Sequence, residues 1–228
     1  GPFSIQPGEF AKIVLATFLA GYLMDKRELL TISNRRVGPV NLPDIKHFGP
    51  MLLALGVALM VMVLQRDLGS SLLFFTLFLV MFYVATGRAA YVAAGLVLFS
   101  GASFLSWKLF SHVQRRVDIW LHPFADPKDK GFQIVEAWFG LADGGVTGTG
   151  LGRGLPTKVP YAETDVIFAA IGEELGLLGA TAVLAAFMFL VAAGFRVAAS
   201  ANQPFEKLLA TGLTSLLGFQ AFIIVGGV

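Results

Sequence analysis

Six stretches of this chain are apolar over lengths that approach or reach a bilayer crossing: about 10–24, 48–64, 72–86, 91–110, 165–194 and 208–228. About 20 helical residues span the hydrocarbon core. The sequence therefore predicts an all-α polytopic membrane protein, with 1–228 forming one integral membrane domain. The first stretch is short unless "FSIQPGE" forms its interfacial start, with Pro7 in the first helical turn. Only 14% of residues are charged, against about a quarter in soluble domains. The 21 phenylalanines and 26 glycines suit helices packed in lipid.

Placement of basic residues sets an expected orientation. Lys26, Arg27, Arg35, Arg36 and Lys46 follow the first stretch, Arg88 follows the third, and Arg196 and Lys207 follow the fifth. Alternating spans put these three loops on one side, read as cytoplasmic. The long loop at about 111–164 is then extracytoplasmic, although it is itself rich in lysine and arginine. Cysteine is absent, which excludes a disulfide framework and a thiolate metal site. A net charge of +2 gives no ground for a nucleic-acid partner. No signal peptide is visible, and the last stretch stops inside an apolar run, so the chain is expected to be a fragment.

Several polar groups interrupt this pattern. "QPGEFAK" puts Glu9 and Lys12 on one helical face, as an ion pair or at an aqueous cavity. "QRDLGS" places Arg66 and Asp67 in a turn, for which a solvated turn is the simpler reading. "DGGVTGTGLGRG" lacks the strand and helix of a nucleotide-binding loop. It serves either as a linker or, beside Arg153 and Lys158, as a backbone cradle for pyrophosphate. In "ETDVIFAAIGEELGLLG", Thr164 or Asp165 can cap a helix start. Glu173 lies about two turns deeper, with Glu174 on a different face. Acids at that depth in an apolar helix point to function. The group suggests a polar cavity opening outward.

Together, "QPGEFAK", "QRDLGSSLLFF", "GGVTGTGLGRG" and "ETDVIFAAIGEELGLLG" resemble, in order and spacing, the signature segments of the SEDS family (shape, elongation, division and sporulation), which includes RodA and FtsW. The resemblance covers essentially the whole chain, and the opening "GPFSIQPGEFAK" is most similar to the RodA-like elongation members. It implies ten transmembrane helices, of which this chain holds the fourth to the ninth, in the bacterial inner membrane. It further implies polymerisation of peptidoglycan glycan strands from lipid II outside the membrane, with a class B penicillin-binding protein as transpeptidase partner.

By the same resemblance Asp165 is the essential acid, in a motif where Val166 replaces the usual phenylalanine and Glu163 a frequent histidine. An α-linked pyrophosphate donor giving a β-1,4 bond requires inversion, hence a base for the incoming hydroxyl and positive charge for the leaving group. Asp165 is the expected base. Arg153, Lys158, Arg115 and Arg116 are expected to hold pyrophosphate, with Glu163 and Thr164 beside the substrate. Glu9, Lys12, Asp67, Glu173 and Glu174 are expected to line or support the cavity. A divalent cation (Mg or Mn) between Asp165 and pyrophosphate is compatible, without an independent metal signature. Two other readings fit intramembrane charge: a lipid II flippase, and a non-catalytic scaffold for the transpeptidase.

Overall fold

The computed structural model describes residues 7–32, 35–37, 40–42, 49–50, 52–57, 60, 68–129, 131–154 and 166–227. The first helix, α1 (Pro7–Ile32), starts with proline, whose missing N–H is no loss there. A short antiparallel hairpin follows, β1 (Arg35–Val37) with β2 (Val40–Leu42), pairing Arg35 with Leu42. Residues 52–57 are helical, within the second apolar stretch, much of which lies outside the described residues. Next come α2 (Leu68–Thr86), α3 (Ala89–Leu109), α4 (Ser111–Leu121), a 3-10 turn (Pro123–Ala125), α5 (Phe132–Gly144), α6 (Ile167–Ser200) and α7 (Pro204–Gly226).

Among the described residues, four helices are long and apolar enough to cross a membrane: Gly69–Thr86, Ala89–Leu109, Ile167–Ser200 and Pro204–Gly226. They match the third to sixth predicted stretches. Their outward side chains, such as Val97, Phe189 and Phe222, are apolar and strongly exposed, each at 72%. In water such surfaces would aggregate; in lipid they are solvated. The chain is an all-α polytopic membrane protein, with the hairpin as its one departure among the described residues. The polar segment after Phe110 is also more ordered than a loop, since it folds into α4 and α5. Its alternation of aromatic and basic residues hid a helical stripe of Val113, Val117 and Trp120.

The chain divides into two compact units, Gly1–Val97 with Leu190–Gln220, and Leu98–Phe189 with Ala221–Val228. In unit one, α1 buries Leu15, Ala16, Leu19, Ala20 and Leu23, a stripe of helical period. The α2 side of the core is Phe74, Leu77, Met81 and Phe82, all nearly inaccessible. Small residues permit close approach of the helices: a Cβ at Gly212 would lie 2.8 Å from Met81 Sδ, and one at Gly194 2.4 Å from Thr214 Oγ1. Arg27 Nε donates to the Ala85 carbonyl at 3.0 Å, satisfying an orphan acceptor at the end of α2.

Lys12 is buried at 5% exposure and donates to Glu9 Oε1 at 2.7 Å and to Gln220 Oε1 at 3.2 Å. Thus the Glu9–Lys12 spacing makes an ion pair, and α7 contributes a second acceptor. Removing one partner of a buried pair strands the other charge, and the cost is greater when the charge left behind is the buried one, here Lys12. Glu9 itself is half-exposed, with 51% side-chain accessibility, so water screens part of the attraction. Glu9→Gln is accordingly expected to destabilise by about 1–2 kcal/mol, and Lys12→Met by less. Thermal unfolding of the full-length protein in detergent checks the order; a costlier Lys12→Met would refute it.

Candidate functional site

The site is built where α6 breaks. Gly176 adopts φ 66°, ψ −170°, a conformation essentially reserved for glycine, and it splits α6 into two helical pieces. A break leaves carbonyls without partners before it and N–H groups without partners after it. Within a membrane helix such orphans each cost several kcal/mol unless paired. The glycine-rich segment after α5 pairs them.

Its path runs alongside the break. The Thr149 N–H and Oγ1 donate to the Glu173 carbonyl at 3.0 and 3.1 Å, and the Gly150 N–H donates to the Glu174 carbonyl at 3.0 Å. In return, the Gly145 and Val146 carbonyls accept from the N–H groups of Leu177 and Leu178 at 2.9 and 3.1 Å. Segment and helix thus clasp each other chiefly through backbone groups, to which the Thr149 hydroxyl adds one side-chain bond. The approach is too close for side chains. A Cβ at Gly148 would sit 2.2 Å from the Glu174 carbonyl oxygen, one at Gly176 2.3 Å from the Gly148 nitrogen, and one at Gly144 2.0 Å from the Gly172 oxygen. Gly148, Gly150 and Gly152 also take positive φ, at 83°, 104° and 71°.

The clasp fixes two acids. Glu173 is buried at 8% exposure. A Cβ at Gly140 would lie 3.4 Å from its Oε2, and one at Gly154 3.2 Å from its Oε1. The carboxylate is therefore wedged between α5 and the end of the glycine segment. Glu174, on a different helical face, nonetheless reaches the same place, with Cγ 3.0 Å from that Gly154 position. The segment wraps the end of the helical piece, so both acids meet it. Arg153 adjoins Gly154 and is exposed, and its N–H donates to the Gly150 carbonyl at 3.0 Å.

The same geometry bears on the pyrophosphate cradle. The amides of Gly148, Thr149, Gly150 and Arg153 all donate within the protein, so these four are not open to phosphate. The Arg153 side chain lies exposed beside them. Arg115 and Arg116 are exposed on α4. Arg115 lines a groove of about 410 Å³ with Asp118, His122 and Asp126, bounded by α4 and the 123–131 turn rather than by the clasp. Glu9 and Lys12 belong to unit one. Asp67, Lys158, Glu163, Thr164 and Asp165 lie outside the described residues. Val166 is 4% exposed and packs with Ala137, Ala169 and Leu141. Its carbonyl accepts from Ala169 N–H at 2.9 Å, starting the turn into α6. Among the described residues no group of three or more His, Asp or Glu side chains is arranged to hold a metal ion.

Two participants escaped the sequence reading. One is Gly176, whose signal was present as Gly172, Gly176 and Gly179 spaced through an otherwise apolar helix. The other is Gln220, which carried no local sign of its tie to Lys12.

Comparison with known proteins settles the family. The model for FtsW, RodA and SpoVE, described as cell cycle protein, matches residues 1–228. The chain belongs to that family. A protein of Mycobacterium tuberculosis named peptidoglycan glycosyltransferase RodA is 47% identical over 226 residues, covering 99% of this chain and 48% of the relative. A probable peptidoglycan glycosyltransferase FtsW of Geobacter sulfurreducens is 36% identical over 228 residues, covering 97% of this chain and 57% of its own length. This family member thus spans about half the length of the curated relatives it matches. A solved structure reported as "Structural coordination of polymerization and crosslinking by a peptidoglycan synthase complex" superposes with a TM-score of 0.58 over 95% of this chain and 70% of that one. At 21% identity this is a likeness of fold.

Proposed function

We propose that the chain is part of a RodA-like peptidoglycan glycosyltransferase, which transfers a lipid-pyrophosphate-linked glycan strand onto lipid II at the outer face of the bacterial inner membrane. The observation that carries this reading is the 47% identity, over nearly the whole chain, to a protein named for that activity. In this reading 1–228 is one membrane domain holding the fourth to ninth of ten helices, and 111–164 is extracytoplasmic. A class B penicillin-binding protein supplies the cross-linking.

The chemistry is one displacement. The acceptor hydroxyl gives its proton to the Asp165 carboxylate as its oxygen attacks the donor's anomeric carbon from the face opposite the pyrophosphate. The bond from that carbon to the pyrophosphate oxygen breaks, and the configuration inverts. The charge developing on the leaving lipid pyrophosphate falls to Arg153 and Lys158, with Arg115 and Arg116 as further cations. Glu163 and Thr164 flank the sugar. Glu173 and Glu174 act through position: their wedge against Gly154 supports a role in holding Arg153 and the chain that leads to Asp165. Asp67 is assigned to the cavity wall.

The test uses the full-length protein with its transpeptidase partner, labelled lipid II, and the partner alone as control. Glycan strands appearing only when both proteins are present are the expected result. Movement of lipid II between leaflets without polymer would overturn the enzyme in favour of a transporter. Neither activity, with partner binding intact, would leave a scaffold.

A further inference from the structure

All three tryptophans of the chain lie in unit two, and none is buried: Trp107 is 39% exposed, Trp120 60% and Trp138 38%. Trp107 and Lys108 close α3, a membrane-crossing helix, with the Lys108 ammonium 5.1 Å from the centre of the Phe104 ring. An indole beside a lysine at the end of a spanning helix marks the level of the lipid headgroups.

The segment that follows leaves that level by very little. Phe110 is a single extended residue, φ −114° and ψ 113°, whose carbonyl accepts from Val113 and Gln114 at the start of α4. Since each residue advances an extended chain by at most about 3.6 Å, α4 begins within roughly 10 Å of Lys108. Val113, Val117, Trp120 and Leu121 form one stripe of α4, opposite Ser111, Arg115 and Asp118. At the far end of that stripe Leu121 is 55% exposed, as is Phe124 at 57%. The Phe124 ring packs against Trp138 of α5, with centroids 5.6 Å apart. If α4 stood upright in water, it would carry this aromatic patch far from any apolar phase. Val113, at the near end of the stripe, is covered by protein at 8% exposure, while the end of α3 that precedes it is open, with Leu105 and Leu109 56% and 66% exposed; lying flat, α4 would keep its own open end at that apolar level.

We infer that α4, the 3-10 turn and the near side of α5 lie in the plane of the membrane interface, with Trp120, Leu121, Phe124 and Trp138 inserted among lipid headgroups and upper acyl chains. Arg115 and Asp118 face water on the opposite side. Aromatic residues suit this depth because an apolar ring and a polar edge are both accommodated. Residues 108–144 carry five basic and five acidic side chains, so aromatic insertion, and not attraction to anionic lipid, holds the segment down. The inference is independent of the proposed catalysis.

The experiment places the full-length protein, without any partner, in phosphatidylcholine nanodiscs. Bimane is attached at Trp120→Cys, Phe124→Cys and, should either fail to fold, Leu121→Cys. Leu98→Cys provides a lipid-facing reference and Asn202→Cys a loop reference. Brominated lipid is expected to quench the interfacial positions to within about twofold of Leu98, and iodide to quench them well below Asn202, at low and high salt alike. Iodide quenching equal to that at Asn202 would overturn the inference. Protection from both quenchers would overturn it too, because protein and not lipid would then cover the patch.

Discussion

Gly176→Ala is expected to cost the protein about 4–6 kcal/mol, a large loss for one added methyl group. A residue with a side chain is strained at φ 66°, ψ −170° by about 1–3 kcal/mol. The added Cβ would also sit 2.3 Å from the Gly148 nitrogen, which is backbone and cannot rotate away. Either the segment withdraws or α6 straightens, and both routes abandon the bonds linking 145–150 to Glu173, Glu174, Leu177 and Leu178. Each bond is worth about 0.5–1.5 kcal/mol, and more where no water replaces it. Gly87 provides the internal comparison. It too has a positive φ, 69°, and closes α2 through its N–H to the Tyr83 carbonyl, but a Cβ there would meet nothing within 4 Å. Gly87→Ala is expected to cost only about 1 kcal/mol. Thermal unfolding of both variants of the full-length protein, with limited proteolysis of the 145–154 segment, measures the difference. Equal losses would mean that the clasp contributes nothing beyond the strain of a positive φ.

The lengths of the apolar stretches made α2, α3, α6 and α7 legible, because bilayer thickness is a constraint that acts on sequence directly. Glu173 was legible for a related reason: a carboxylate so deep in an apolar helix is too costly to be incidental. The break beside it was not. Glycine in a membrane helix ordinarily signals close packing, and Gly176 declares its conformation only once the segment at 145–150 is known to run alongside. The pairing joins residues more than twenty positions apart, through backbone atoms that no side-chain pattern records. Lys12 makes the same point more sharply, since its second acceptor, Gln220, is 208 residues away. The helices α4 and α5 were missed for a different reason. Their polar faces are charged enough to read as loop, and their apolar stripes are too short to read as membrane.

Asp165→Asn is expected to lower glycan polymerisation by about 10²–10⁴-fold, the range ascribed to a positioned general base, while leaving the melting temperature of the full-length protein unchanged. The two halves of this expectation rest on different residues. The chain immediately after position 165 is held by Val166, buried against Ala137 and Ala169, and by the Ala169 N–H bond to its carbonyl. An asparagine at 165 alters none of these contacts and can still cap a helix start, so the fold has no reason to respond. The amide cannot accept the acceptor hydroxyl's proton, so the displacement does. Arg153→Ala provides the contrast. Removing a cation that grips pyrophosphate in the bound donor as well as in the leaving group raises KM along with lowering kcat, whereas loss of a base falls on kcat alone. Steady-state polymerisation of labelled lipid II by both variants, with the partner present throughout, separates these roles. Unaltered kcat in Asp165→Asn would remove this carboxylate from the chemistry and turn attention to Glu173, the acid that the clasp holds in place.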